Sequence, residues 1–124
     1  MTPGGGVRTF LSMIDAYAFG RITVDGTEYR ADLLLLPDRV LDSWWRKEGH
    51  NLCLEDLGEA LAVKPEVLVV GQGRPGLMKV PKALIEDLQR RGIEVRVAPT
   101  EQAVRTYNEL AGKRKVVAAL HLTC

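Results

Sequence analysis

Along this chain the spacing of apolar residues shifts from alternation, to an unbroken run, to helical periodicity, and each shift marks an element. Tyr17, Phe19, Ile22 and Val24 alternate with a slip of phase at Gly20, and Asp25-Gly26 offers a tight turn before Tyr29 and Ala31. This pattern predicts an N-terminal β-hairpin with a bulge at Gly20. The return strand runs into Leu33-Leu34-Leu35-Leu36, an unalternated stretch closed by Pro37-Asp38. Such a run predicts a strand covered on both faces. Val40 to Trp45 predicts a further short strand, with Gly49 supplying a turn whose dihedrals a residue bearing Cβ resists. The segment Trp44-Trp45-Arg46-Lys47-Glu48-Gly49-His50 is therefore placed at a strand end.

Leu54, Leu57 and Leu61 have helical spacing, Glu55 and Asp56 oppose the helix dipole in a first turn, and Pro65 stops the element. From there strands and helices alternate. Val67 to Val70 forms a strand, a glycine-rich loop follows, and Pro81 opens a helix with Leu84, Ile85 and Leu88 on one face, ended by Gly92. Ile93 to Val97 is the next strand. Thr100 caps a last helix striped by Ala103, Val104, Tyr107, Leu110 and Ala111, and Gly112 ends it before the strand Val116 to Leu122. Strand-helix alternation implies right-handed crossovers and parallel pairing. The predicted fold class is a compact three-layer α/β domain with a mixed, largely parallel central sheet and an N-terminal β-hairpin. Residues 1–124 are read as a single domain, with 1–10 a flexible lead-in.

Composition agrees with an ordinary globular domain. A chain of 124 residues buries roughly two-thirds of the surface its unfolded form exposes, and 46% hydrophobic with 27% charged residues argues against disorder and against fibres. No apolar run approaches the roughly 20 residues that cross a bilayer, and Met1-Thr2-Pro3-Gly4-Gly5-Gly6 lacks the pattern of a secretory signal. No membrane association is expected. A net charge of +1 and a pI near 7.8 give no broad field for nucleic acid, and Lys113-Arg114-Lys115 is too short to alter that. Two cysteines, Cys53 and Cys124, fit a reducing compartment, so the cytoplasm is the expected location.

Three features carry candidate chemistry. Gly71-Gln72-Gly73-Arg74-Pro75-Gly76 has the spacing of a dinucleotide fingerprint and follows a strand. Pro75 interrupts it, Pro81 rather than the glycine run opens the helix, and the next strand ends at Ala98-Pro99 without a ribose-binding acid, so a dinucleotide is not expected. A broader anion-binding loop remains, in which Gly71, Gly73 and Gly76 expose amides while Arg74 and Lys79 flank them. The plainer alternative is that the glycines serve tight turns and the two cations are solvated.

His50 and Cys53 repeat the spacing of His121 and Cys124, which raises a four-ligand metal site. On a strand, residues three apart point to opposite faces, so no metal and no cofactor is expected. Cys53 reads as structural. Trp44 and Trp45, as strand neighbours, divide into one core and one rim residue, and a surface indole beside Arg46 is a good contact anchor. His50 can transfer protons near neutral pH, although a hydrogen-bonded structural histidine is commoner.

Trp45-Arg46-Lys47-Glu48-Gly49-His50, the run Pro65 to Gly73, Met78-Lys79-Val80-Pro81 and the ending Ala118 to Cys124, with Tyr17 to Gly20, Pro37-Asp38 and Tyr107-Asn108, together resemble the Mth-nine-three-eight-like family of small domains. The resemblance implies a three-layer α/β fold, relatives that include an adipogenesis-associated protein and, distantly, a mitochondrial complex I assembly factor, and no catalytic residues to carry over. The expected function is accordingly a non-enzymatic protein-binding or assembly-accessory module that meets a protein partner through Trp45, Arg46, Lys47 and His50. The alternative is a small anionic ligand, bound or converted at the Gly71 to Gly76 loop. Oligomeric state is left open by the sequence.

Overall fold

The computed structural model describes residues 12–124, so the expected lead-in at 1–10 lies outside the described residues. Among the described residues there are eight strands: β1 (Ile14–Ala18), β2 (Arg21–Val24), β3 (Thr27–Tyr29), β4 (Leu33–Leu36), β5 (Arg39–Leu41), β6 (Val67–Gln72), β7 (Glu94–Ala98) and β8 (Val116–His121). A 3-10 turn at Leu54–Leu57 leads into α1 (Gly58–Ala62), and α2 (Lys82–Arg90) and α3 (Thr100–Leu110) follow. The central sheet has the order β5-β4-β8-β6-β7, and a smaller antiparallel sheet has the order β1-β2-β3.

The central sheet is mixed. β6 runs parallel to both β7 and β8, whereas β4 is antiparallel to both β5 and β8. Its strands feed alternate residues to opposite faces. Leu33, Leu35, Val67, Val69, Val116, Ala118 and Leu120 pack with α3 and the smaller sheet. Leu34, Leu36, Leu68, Val70, Val117 and Ala119 pack with α1, α2 and Trp44. These are the three layers, and they explain why the tetrad Leu33 to Leu36 shows no alternation: all four are buried. The two long helices lie on opposite faces because the chain steps from β6 outward to β7 and then back across β6 to β8. Two right-handed crossovers in opposite directions require opposite faces.

Four local expectations are corrected. Tyr17 to Val24 is two strands rather than one, because Phe19-Gly20 forms a turn, with Gly20 at φ +82° and its amide donating to Leu122 O at 2.9 Å. The hairpin expected around Asp25-Gly26 therefore gains a third strand, and the irregularity in register lies between Ile14 and Ala16 instead of at Gly20. Strand β5 stops at Leu41, short of the tryptophans; Ser43 adopts φ +58° and Trp44 N donates to Asp32 O at 2.7 Å, which turns the chain back toward the start of β4. Gly49 has no positive φ, and a Cβ there would meet no atom within 4 Å, so its turn does not demand glycine. Pro99, not Thr100, occupies the cap position of α3, because the Thr100 hydroxyl is engaged elsewhere.

That engagement fixes the carboxyl ends of β6 and β8. Thr100 Oγ1 donates to His121 O at 2.5 Å and accepts from Gly73 N at 2.8 Å. Arg74 N donates to Thr123 O at 2.9 Å. Gly73 sits at φ +92°, and a Cβ on it would collide with Thr123 O and stand 2.7 Å from His121 Cδ2. Gly26 shares the positive φ but faces open space. Gly26→Ala should therefore cost about 1 kcal/mol of left-handed strain, and Gly73→Ala about 3 kcal/mol or more once displacement of the 121–123 segment is added. Urea unfolding midpoints of the two variants check this; equal losses would show that the close approach over Gly73 carries no weight.

Candidate functional site

Asp32 lies between β3 and β4, at the point where the chain passes from the small sheet to the large one. Its carboxylate accepts three hydrogen bonds. Leu122 N donates to Oδ1 at 2.8 Å, while Arg46 Nη1 and His121 Nδ1 reach Oδ2 at 2.6 and 2.7 Å. The side chains of Arg46, His121 and Asp32 are only 6%, 7% and 18% exposed. Arg46 also donates through Nη2 to Gly49 O at 2.9 Å, and its guanidinium carbon stands 5.0 Å from the centre of the Trp44 ring. The ion pair is thus covered by an indole and shielded from water, where losing either partner costs far more than at the surface.

His121 Nδ1 lies 2.7 Å from Asp32 Oδ2 and 3.1 Å from Arg46 Nη2. A carboxylate only accepts and a guanidinium only donates, so Nδ1 can serve one of them. The shorter contact assigns the Nδ1 proton to Asp32, as Nη2 already has Gly49 O. This orientation turns the opposite ring edge toward Gly73, whose missing Cβ makes room for Cδ2. Nε2 is buried and has no hydrogen-bond partner among the described residues. The ring of His50 meets that of His121 edge to face, with centroids 6.2 Å apart.

A second carboxylate holds the same segment from the other side. Asp56 Oδ1 accepts from Lys47 N and Oδ2 from Cys53 N, each at 2.9 Å, and Asp56 O accepts from Trp44 Nε1 at 2.9 Å. Trp44 is 7% exposed and Trp45 76%. With its neighbours pinned on both sides, Trp45 projects into solvent beside a groove of about 640 Å³, lined by Trp44, Lys47, Asp42, Glu55 and Glu59 among others.

The expected site residues fall into two places. Arg46, His50 and Gly73 converge on His121, and Lys79 joins them through backbone bonds, donating to His50 O at 2.8 Å and accepting from Leu52 N at 2.9 Å. Trp45 and Lys47 line the groove, whose walls include neither His50 nor any residue from Gly71 to Gly76. Gly71 is embedded in β6, and the amides of Gly73 and Arg74 are committed to Thr100 and Thr123. Arg74 and Lys79 are exposed and Gly76 is half-buried. The Cys53 thiol is pushed up by desolvation and by the charges of Asp56, Glu48 and Glu55, which disfavours its nucleophilic form.

Asp32, Asp56 and the orienting role of His121 were missed. The sequence signal for His121 was a polar residue ending an otherwise apolar strand, which a search for metal spacing obscured. Asp32 carries no local signal, since its partners lie in other segments, whereas Asp56 stands in a first turn where its position points only to the helix dipole, and its bonds to Cys53 N and Lys47 N were not foreseen.

The model of the family described as "Protein of unknown function (DUF498/DUF598)" matches residues 14–121. The chain belongs to this family. It is 28% identical over 111 residues to NADH dehydrogenase (ubiquinone) 1 alpha subcomplex assembly factor 3 of Danio rerio, a match covering 87% of this chain and 62% of that protein. The chain thus spans less than two-thirds of this relative's length. Among solved structures, the conserved hypothetical protein PH1505 of Pyrococcus horikoshii superposes with a TM-score of 0.76 at 28% identity, covering 90% of this chain and 98% of that one. A Bordetella pertussis protein described as a Mth938-like domain gives 0.67 at 25% identity over 98% of this chain and 92% of its own. The family and its fold agree with the resemblance drawn from the sequence.

Burial alone raises the Asp32 carboxyl, but hydrogen bonds from His121, Leu122 and Arg46 outweigh it and hold the group below its ordinary range. A carboxyl depressed in the folded state contributes stability above its unfolded pKa and loses that contribution as pH falls through the folded value. Asp32→Asn should cost about 3–5 kcal/mol at neutral pH by leaving Arg46 buried without its counter-charge. It should also flatten part of the loss of stability on acidification. Glu28→Gln, which breaks the exposed pair with Arg30, should cost about 1 kcal/mol or less. Denaturation of the three proteins at neutral and acid pH measures both effects.

Proposed function

We propose that this domain is a non-enzymatic, cytoplasmic protein-binding module with an assembly-accessory role, and that it meets its partner through Trp45. One observation carries the reading: an indole left 76% exposed in a segment whose other parts are fixed. Trp44 is buried, Arg46 is locked to Asp32, and the backbone of Lys47 is held by Asp56. A large aromatic presented on a fixed backbone loses little entropy on binding, and tryptophan is enriched among the residues that dominate interfaces. The similarity to an assembly factor supports the same reading. Arg46 serves here as a positioning residue behind the contact surface, while Lys47 and Trp45 face outward. Affinity capture from the native cell with the wild type and Trp45→Ala tests it. Selective loss of a protein partner is the expected result, and identical partners for both would overturn it.

A second reading draws support from His121. Its Nε2 is buried without a partner among the described residues and its Nδ1 is oriented by Asp32, the arrangement that prepares an imidazole for proton transfer or ligand contact. With the His50 ring against it and the exposed cations Arg74 and Lys79 on the segment that follows Gly73, the ligand would be a small phosphorylated or carboxylated metabolite whose anionic group meets those cations and whose hydroxyl or amine donates to Nε2. Thermal-shift measurements against a panel of such anions should then show stabilisation that His121→Gln removes. No shift across the panel would eliminate this reading.

A further inference from the structure

The groove beside Trp45 has an unbalanced wall. Asp42, Glu55 and Glu59 line it as carboxylates, with Lys47 as the cation in its lining. Asp56 lines it too, but both its oxygens are occupied by amides. Elsewhere Glu28 pairs with Arg30, Asp38 with Arg39, Asp87 with Arg90 and Arg91, and Glu66 and Glu94 with Arg114, while Asp15, Asp25, Glu48, Glu101 and Glu109 are unpaired among the described residues but line no groove with an exposed indole. Among the described residues Asp42, Glu55 and Glu59 pair with none. Three unneutralised carboxylates therefore share a concave surface with an indole that the fold leaves bare.

That combination has a specific complement. A guanidinium is a flat, weakly hydrated cation that stacks on aromatic faces while its in-plane N–H groups donate in a fork to carboxylates. The chain makes this pairing internally, where Arg46 lies over Trp44 and bonds to Asp32. We propose that the Trp45 groove receives an arginine-bearing segment of the partner protein, with the guanidinium against Trp45 and its N–H groups on Glu55, Glu59 and Asp42. The proposal rests on Trp45 being the contact surface, and it adds the chemistry of what is contacted.

Blocked peptides alternating glycine with arginine, lysine or glutamate, each carrying a fluorophore, test it by fluorescence anisotropy on the full chain. The arginine peptide should bind saturably, about threefold or more tighter than the lysine peptide, and weaken as salt is raised; the glutamate peptide should not bind. Trp45→Ala and the double variant Glu55→Gln/Glu59→Gln should each weaken the arginine peptide about tenfold. All three side chains are exposed, and circular dichroism verifies that the variants fold. No saturable binding, equal affinity for the lysine peptide, or unchanged affinity in the double variant would each overturn the proposal. A partner that is lost with Trp45→Ala yet retained by the double variant would leave the contact surface standing and overturn its arginine chemistry. Arginine-peptide binding that needs Glu55 and Glu59, beside partners indifferent to Trp45→Ala, would support the chemistry and sink the accessory role.

Discussion

The structure turns on what one buried carboxylate holds together. Asp32 receives the amide of Leu122, the imidazole of His121 and the guanidinium of Arg46, while its backbone carbonyl receives Trp44 N. Four contacts at one residue join the junction of the two sheets, the end of β8 and the loop that carries both tryptophans. Remove the charge, and Arg46 remains inside with its Nε already unpartnered among the described residues. Such clusters add little net stability over an apolar replacement, but breaking one partner is costly, so their effect is to exclude other arrangements of the same segments.

The division between the adjacent tryptophans follows from that anchor. Trp44 is drawn inward, capped by Arg46 on its face and tied to Asp56 O through its indole nitrogen. Trp45, one residue later, has nowhere inward to go. The exposure of the second indole is thus a product of the forces that bury the first, and the groove beside it inherits a fixed shape from Asp56 and the 3-10 turn at Leu54–Leu57. The loop that carries both tryptophans thereby gains a rigidity usual for a strand.

Most of the architecture was legible because it depends on local period. The unbroken Leu33 to Leu36 run, the proline and glycine stops around α2, and the alternation of strands with helices all announce themselves within a window of a few residues. Alternation across Tyr17 to Val24 misled, because a two-residue turn at Phe19-Gly20 preserves the count of apolar positions while reversing the chain. The division of Trp44 from Trp45 was legible in outcome, though a loop and not a strand produces it. The candidate site was far less legible. Asp32, Arg46 and His121 share no motif, and their association depends on β4 and β8 becoming neighbours. Thr100 shows the same limit: its hydroxyl suits a helix cap locally, yet the tertiary demand of His121 O and Gly73 N prevails.

The bonds from Asp32 to His121 and Leu122 span 89 and 90 residues of sequence, and this separation has a kinetic meaning. Contacts so distant form late, after most of the loop-closure entropy has been paid. The bonds that hold the Trp44–Lys47 loop to Asp32 and Asp56 all lie within residues 32–56, whereas the bonds of Asp32 to His121 and Leu122 wait on β8 taking its place between β4 and β6. The last strand thus completes the coordination of Asp32 rather than creating it: the carboxylate holds Arg46 by a contact 14 residues apart in sequence and gains its two remaining partners from the far end of the chain.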